Sequence, residues 1–338
     1  MTFTSTPDPD CPREAATPLT LTARSPEDLL ALAPVVLGFH PTDSIVMLTF
    51  GAAAPFHARV DLPTSAAEVA ETVDVLVAPA RRHGVARVVI LVYGTDRVMS
   101  RRLWTAVRDG FARAGIEVLD ALRVEEERWY PLVGRDRRAQ LSGVAYDVSA
   151  HPFLVQAVVD GRVTHGSRAA LAGTLAADAG GVRRLTSLAR SRPAAIDLLT
   201  EGAWIETTLT EHLAGDHLPD DPELARMLLA LRDDRLRDAA WSTLSRERAR
   251  AAVGWWTHAL TRCPEDLVAA PAALLAWAAW LHGNGALAWC ALDRCESVEP
   301  GYDLARLVAD LLERAHPPTQ WNEAIDWRSG LDEASRAG

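Results

Sequence analysis

Histidine, aspartate and serine, the residue types of a nucleophilic triad, fall within five positions of one stretch of this chain. The stretch is VLGFHPTDS, residues 36–44, in which His40, Asp43 and Ser44 follow one another closely. A triad needs a serine hydroxyl within hydrogen-bond reach of a histidine that an acid orients. No G-x-S-x-G pattern surrounds Ser44, and the stretch leads from a predicted helix into a predicted strand rather than the reverse.

Turn chemistry explains the same stretch. Gly38 suits the left-handed residue that closes a helix, Pro41 prevents helix continuation, and Ser44 opens the following strand. Ligands of open α/β sheets lie beyond the carboxyl ends of parallel strands, whereas this stretch precedes the amino end of a strand. We therefore predict a structural turn in which His40 or Asp43 bonds to nearby backbone.

Further candidate ligand-binding residues follow other predicted strands. They are Asp61, Thr64, Thr95, Asp96, Arg97 and Trp129, and Arg59 lies within the strand that ends at Asp61. Helix capping is an alternative role for Thr95 and Asp96. Trp129 is predicted as a core, interface or ligand-stacking residue. A shared site would require a strand order that brings His40 and Arg59 close to Asp61.

The first half of the chain alternates strand and helix patterns. Apolar runs and alternation predict strands at residues 19–23, 45–50, 56–61, 86–93 and 116–124. Amphipathic spacing and capping residues predict helices from Pro26 to about Leu37, over 66–83 and over 99–114. A mixed sheet covered by helices, with one hairpin, is the predicted α/β fold.

The second half is predicted to be an all-α domain of tetratricopeptide-like hairpins. Nine of the eleven tryptophans lie from Trp204 onward. One segment contains Ala252, Trp256, Ala259 and Pro264, and a second contains Ala288, Leu292, Cys295 and Pro300. Corresponding residues are 36 positions apart, close to the tetratricopeptide period of about 34. Small residues there would let two helices approach closely.

The predicted domain boundaries follow from these patterns. Residues 1–17 are expected to be a disordered tail, and residues 18–190 the α/β domain. Residues 191–315 are expected to be the helical domain, with hairpins over about 233–302, and residues 316–338 a C-terminal tail. The boundary is placed near Ser191-Arg192-Pro193, with Gly180-Gly181 as the alternative.

All 35 basic residues are arginine, and the chain has no lysine. Schiff-base chemistry, a pyridoxal-phosphate anchor, a P-loop and a protein-kinase phosphate grip all use a lysine ammonium group. Each is excluded unless another residue replaces the lysine. No cofactor is predicted.

Charge and apolar patterning predict a cytoplasmic protein that binds neither nucleic acid nor a membrane. The net charge is −10, although Arg135, Arg137 and Arg138 form a local basic stretch. The first residues lack the pattern of a signal peptide. The longest apolar stretch, Leu267 to Leu281, is interrupted by Pro271 and is too short to cross a bilayer. Four cysteines are expected to be free thiols.

Two apparent ligand-binding motifs are better explained as structural features of the helical half. The glycines of Gly283-x-Gly285-x-x-Ala288 follow a predicted helix rather than a strand, so a turn between helices is predicted instead of a dinucleotide site. His258, Cys263, Cys290 and Cys295 contain no close C-x-x-C pair, and no metal site is predicted.

Three blocks of the sequence resemble an uncharacterised actinobacterial family, domain of unknown function 4192. The blocks are LGFHPTDSIVML, then ARVDLP around residues 58–63, then RWYPL around Trp129. The resemblance covers most of the chain from about Leu19. No activity is established for the family, so it implies no catalytic role. Many members carry a cysteine-bearing segment after the tryptophan, whereas VGRDRRAQLSG stands here without a cysteine.

Two functional hypotheses follow from the sequence. The first is a non-enzymatic interaction or regulatory protein that binds a protein partner through its helical domain. The alternative is a hydrolase or transferase with a small-molecule site on the α/β domain.

Overall fold

A computed structural model describes residues 23–51, 56–190, 197–321 and 325–329 of the chain. The chain divides into two compact units, Met1–Ala170 and Leu171–Gly338. The first contains a mixed sheet with helices, and the second contains helices throughout its described residues.

The first unit is built on a six-stranded sheet. The strands are β1 (Ser44–Phe50), β2 (His57–Asp61), β3 (Arg87–Tyr93), β4 (Glu117–Glu125), β5 (Arg128–Pro131) and β6 (Val144–Ala145). Their spatial order is β2-β1-β3-β4-β5-β6. Strands β3 and β4 pair in parallel, and every other neighbouring pair is antiparallel. The predicted mixed sheet and its β1–β2 hairpin are confirmed.

Helices cover both faces of this sheet. They are α1 (Pro26–Leu37), α2 (Val69–Arg82), α3 (Arg97–Arg113), α4 (Arg137–Ser142) and α5 (Pro152–Val159), and α6 (Arg168–Gly173) spans the division between the units. Ile45 and Met47 pack with buried residues of α2 and α3 in one core cluster. Because side chains alternate along a strand, Ser44, Val46 and Leu48 point to the opposite face.

Helix α1 is fixed at both ends by its own sequence. The Ser25 hydroxyl accepts from the Asp28 backbone N–H at 3.2 Å, and the Asp28 carboxylate accepts from the Ser25 N–H at 3.0 Å, which completes a capping box. The helix continues through Pro34 to Leu37 rather than ending early. Gly38 follows with φ 77°, and its N–H donates to the Pro34 carbonyl.

The second unit consists of eight further α-helices among its described residues. They are α7 (Ala179–Arg190), α8 (Leu198–Gly215), α9 (Asp221–Ala230), α10 (Asp234–Ser242), α11 (Ala249–Arg262), α12 (Ala269–Leu281), α13 (Gly285–Glu296) and α14 (Asp303–Glu313). All thirteen residues of α12 are buried. Helices α11, α13 and α14 each pack against α12, so this helix is the centre of the unit.

Aromatic rings fill the space around α12. The Trp277 ring lies 4.9 Å from Trp241 and 4.9 Å from Trp321, centroid to centroid, and 5.0 Å from Trp280. The Trp280 indole N–H donates to the His316 carbonyl at 3.1 Å. Edge-to-face contacts of this kind add stabilisation beyond the buried area. The tryptophan-rich second half therefore reflects a large aromatic core.

The described part of the predicted C-terminal tail packs into this core. Trp321 contacts Trp277, and Trp327 is buried against Gly202 of α8. Residues 316–338 were predicted only to be a C-terminal tail. Its two tryptophans bury enough apolar surface to hold it against the helices.

The division between the units also lies earlier than the predicted boundary after residue 190. Helix α7 was assigned to the α/β domain, yet it packs against α9 and α11. Arg184 forms an ion pair with Asp221 at 2.9 Å, and the Asp178 N–H donates to the Thr261 carbonyl at 2.6 Å. The predicted linker at residues 191–193 and the N-terminal tail lie outside the described residues.

Replacing Gly202 with alanine tests the docking of Trp327 on α8. A Cβ at this position would lie 2.2 Å from the Trp327 ring, so the ring would have to move. We expect the free energy of unfolding to fall by about 1–3 kcal/mol, as overpacked cores do. Denaturant unfolding of the full chain measures this change.

The matched control is Gly254→Ala in α11, where a Cβ would meet nothing within 4 Å. Alanine is the better helix former, so this variant should be stabilised by up to about 1 kcal/mol. Equal effects of the two substitutions would show that Trp327 does not pack on Gly202.

Candidate functional site

The candidate residues gather at one end of the sheet in the first unit. Ser44 begins β1 and pairs with Asp61 at the carboxyl end of β2. On its other side, Ser44 pairs with Tyr93 at the carboxyl end of β3, which pairs in turn with Val124 near the end of β4. We call this region, with its adjoining turns, the polar sheet end.

The strand directions correct one expectation from the sequence, namely that VLGFHPTDS lies away from the strand ends where ligands bind. The stretch does precede the amino end of β1, as the sequence indicates. Because β1 runs antiparallel to both β2 and β3, its amino end lies beside their carboxyl ends. The stretch therefore lies at the sheet edge where ligands of α/β proteins commonly bind.

Backbone hydrogen bonds fix the turn between α1 and β1. The His40 N–H donates to the His165 carbonyl at 3.0 Å, and the His165 N–H donates to the Gly38 carbonyl at 2.8 Å. Asp43 adopts a positive φ of 43°, and its carbonyl accepts from the Leu62 N–H at 3.0 Å. His40 and Asp43 thus bond to neighbouring segments through their main chains, while both residues are exposed.

A polar row crosses the sheet on the face opposite α2 and α3. Residues paired across neighbouring strands point to the same face, so Asp61, Ser44 and Tyr93 form one row, with Trp129 farther along it through Val124. The Trp129 indole N–H donates to a Glu27 carboxylate oxygen of α1 at 3.0 Å. The row therefore faces α1.

The ionisable groups in this row are either paired or buried. Arg59, two positions before Asp61 on the same face, forms an ion pair with it at 2.6 Å. Burial raises the pKa of the Tyr93 hydroxyl, so it stays protonated at neutral pH. Pro41 is buried, and Thr42 is exposed.

Two buried polar atoms on this face have no hydrogen-bond partner among the described residues. They are the Ser44 Oγ and the Arg59 Nε. Ser44 is completely buried. An unsatisfied buried donor costs about 1–3 kcal/mol, which a bound polar group could recover.

A buried arginine, Arg123, lies at the same end of the sheet on the opposite face. The Arg123 guanidinium forms an ion pair with Glu125 at 2.6 Å and donates to the Gly94 carbonyl at 3.2 Å. It also stacks 3.9 Å from the centre of the Tyr130 ring. Sequence reasoning missed this group, although an arginine inside the apolar strand pattern ALRV was a usable signal.

The candidates after β2 and β3 chiefly begin helices. The Asp96 carboxylate accepts from the Val98 and Met99 N–H groups at 2.8 and 2.9 Å, which caps α3. The Thr64 N–H and hydroxyl both donate to the Glu68 carboxylate, and with Ser65 they lower the pKa of Glu68. Thr95 and Arg97 are exposed beside this cap.

The described residues at the polar sheet end contain no nucleophile bonded to a base. The Ser44 hydroxyl is not within hydrogen-bond distance of His40 or of either nearby aspartate. Across the described ranges, no group of three or more histidine, cysteine or carboxylate side chains could hold a metal ion. None of the described helices combines the length and the apolar character that crossing a bilayer requires.

A family model described as Domain of unknown function (DUF4192) matches residues 26–319. The chain belongs to this family. The resemblance drawn from the three sequence blocks is thereby confirmed at the level of the family. No curated protein and no solved structure matches the chain.

The three sequence blocks that resemble the DUF4192 family meet at the polar sheet end. LGFHPTDSIVML supplies the turn and β1, ARVDLP supplies the end of β2, and RWYPL supplies β5. The first two blocks form the β1–β2 hairpin and the third comes from residues 128–132, and each contributes to the α1 side of the sheet. The polar sheet end is therefore the best candidate for a functional site in the first unit.

Replacing Ser44 with alanine tests whether its hydroxyl has a structural partner. Since the Oγ is buried without one, we expect the free energy of unfolding to stay unchanged or to rise by up to about 1 kcal/mol. Denaturant unfolding measures the change.

The matched control is Ser100→Ala, because that hydroxyl is also buried but donates to the Asp96 carbonyl at 2.7 Å. This control should lose about 1 kcal/mol. A loss at Ser44 as large as that at Ser100 would mean that the Ser44 hydroxyl has a partner in the folded chain.

Replacing Gly38 with alanine tests the turn itself. A Cβ would meet nothing within 4 Å, so the cost comes from the φ of 77° alone, and we expect about 1 kcal/mol. Gly166→Ala is the control, since Gly166 has equal space and no such φ. A Gly38 variant as stable as the control would contradict the left-handed turn.

Proposed function

We propose that this DUF4192 protein is a non-enzymatic interaction or regulatory protein of the cytoplasm, which binds a protein partner through its helical unit. The observation that carries this proposal is the state of the ionisable groups at the polar sheet end. Asp61 is paired with Arg59, Asp96 caps a helix, and the Ser44 hydroxyl has no base beside it. A serine hydroxyl is a weak nucleophile, and an adjacent general base commonly activates it.

The packing of the helical unit supports a binding role. Helices α11, α12, α13 and α14 pack in succession, as the helices of repeat proteins do. Stacked helical hairpins present extended surfaces that bind protein segments. The proposal includes no cofactor, nucleic acid or membrane, in keeping with the net charge of −10 and the lysine-free composition.

The residues of the 36-residue repeat support a tetratricopeptide-like arrangement in part. Seven of the eight are buried: Ala252, Trp256, Ala259, Pro264, Ala288, Leu292 and Cys295. The thiol of Cys295 on α13 lies 3.4 Å from the Ala269 carbonyl of α12, which reflects the close approach that small residues allow. Pro300 is exposed, and α10 packs mainly against α8, so the first hairpin departs from the pattern.

A second candidate function is a hydrolase or transferase with a small-molecule site at the polar sheet end. The unpartnered Ser44 Oγ and Arg59 Nε favour it, because both lie on the face toward α1. A polar substrate that bonded to both would remove two unsatisfied groups. Asp61, Thr95, Asp96 and Arg97 border the same edge and would be the polar groups of such a site.

Site-specific photo-cross-linking distinguishes the two functions. A photoreactive residue in place of Arg306, which is exposed on α14, should form an adduct with the protein partner in cell lysate. The matched control is the same residue in place of Val75, which is exposed on α2 of the other unit. We expect adducts at position 306 and none at position 75, as measured by mass spectrometry.

Two results would overturn the proposal. One is an adduct at position 75 with none at position 306, which would assign binding to the α/β unit. The other is turnover of a small molecule by the purified chain that Ser44→Ala abolishes without lowering stability, which would establish the enzyme.

A further inference from the structure

An exposed basic surface lies where α3 begins and α4 ends. The Arg97 guanidinium, at the first position of α3, donates to the Gln140 carbonyl of α4 at 3.2 Å. The Gln140 side-chain amide donates to the Gly134 carbonyl at 3.1 Å, which holds the preceding loop against α4. Three separate segments are thereby joined into one surface.

We call this surface the arginine–aliphatic patch. It comprises Arg97, Val98 and Arg101 of α3, Val133 and Arg135 of the loop, and Arg137, Arg138 and Leu141 of α4. All eight residues are exposed. Residues three or four positions apart share a helix face, so Val98 lies beside Arg101, and Leu141 lies beside Arg137 and Arg138.

The positive charge of the patch is not neutralised by ion pairs. Among the described residues, no carboxylate lies within ion-pair distance of any of its five arginines. Two aspartates are nearby, but Asp96 accepts from backbone N–H groups of α3 and Asp136 from the Ala139 N–H at 3.0 Å. A concentrated positive surface on a chain of net charge −10 is a local feature that attracts an acidic partner.

Aliphatic side chains lie among these charges. Val98 is 74% exposed, Leu141 61% and Val133 37%. Exposed apolar side chains grouped within a polar rim are typical of protein-binding surfaces. Arginine is also enriched at such surfaces, because its planar guanidinium binds a carboxylate through two hydrogen bonds.

We infer that the arginine–aliphatic patch binds an acidic protein segment that carries apolar side chains. Carboxylates of the segment pair with the arginines, and its apolar side chains cover Val98 and Leu141. Nucleic acid fits less well, because the patch has no exposed aromatic ring for base stacking. A lipid surface also fits less well, because α4 has six residues and offers no long apolar face.

This surface belongs to the α/β unit and is separate from the helical surface of the proposed function. Failure of one therefore leaves the other standing. The patch adjoins the Asp96 cap of α3, so an occupant would lie next to the polar sheet end.

The test uses the full chain and a fluorescent peptide of alternating glutamate and leucine, with binding measured by fluorescence anisotropy at low and high salt. We expect saturable binding that weakens as salt is added. Arg137→Glu/Arg138→Glu should weaken binding about tenfold or more, and Leu141→Ser about threefold or more. A poly-glutamate peptide of equal charge should bind about threefold or more weakly, since it lacks apolar side chains.

The control is Arg232→Glu/Arg235→Glu, which makes the same change in net charge at exposed arginines of the second unit. Its affinity should stay within about twofold of wild type. Thermal melting verifies that each variant is folded. If Arg137→Glu/Arg138→Glu does not fold, Leu141→Ser still tests the inference. Absence of peptide binding, equal weakening by the control, or a preference for anionic vesicles or single-stranded DNA over the peptide would overturn the inference.

Discussion

Strand β1 is buried along all seven residues and pairs antiparallel with β2 on one side and β3 on the other. This pairing places the turn after α1 beside the ends of β2, β3 and β4. If β1 ran parallel to β2 and β3, His40 and Ser44 would lie at the opposite end of the sheet from Asp61, Tyr93 and Asp96. The composition of the polar sheet end therefore depends on one choice of strand direction, the antiparallel pairing of β1 with both of its neighbours.

Burial leaves polar atoms without hydrogen-bond partners in both units. In the helical unit, α12 is buried along its whole length, and the indole N–H groups of Trp241, Trp256, Trp277 and Trp327 have no hydrogen-bond partner among the described residues. In the sheet unit, burial encloses Arg123, which Glu125 and the Gly94 carbonyl satisfy in part, and Ser44, which has no partner among the described residues. Breaking such a buried pair typically costs about 3–5 kcal/mol.

Local sequence signals predicted the long helices and strands. They could not predict how segments distant in the sequence pair with one another. Ser25, Pro26 and Gly38 marked both ends of α1, and the apolar runs marked β1 and β3. Strands β5 and β6 were missed, because they are short and only partly buried, so neither shows a clear alternation. The ligand candidates were named from their positions after strands, yet their meeting at one end required the direction of β1. The sequence also could not predict that Trp327 packs on α8. This contact depends on the absence of a side chain at Gly202, more than a hundred residues away.

We propose that Ser44 at the polar sheet end is not an activated nucleophile, because its hydroxyl has no hydrogen-bond partner among the described residues. Treating the folded chain with a fluorophosphonate and mapping the peptides by mass spectrometry tests this claim most directly, because the reagent modifies serines that a neighbouring base activates. The account predicts no adduct on Ser44. A stoichiometric adduct on Ser44 that is lost on unfolding would contradict it and identify VLGFHPTDS as catalytic.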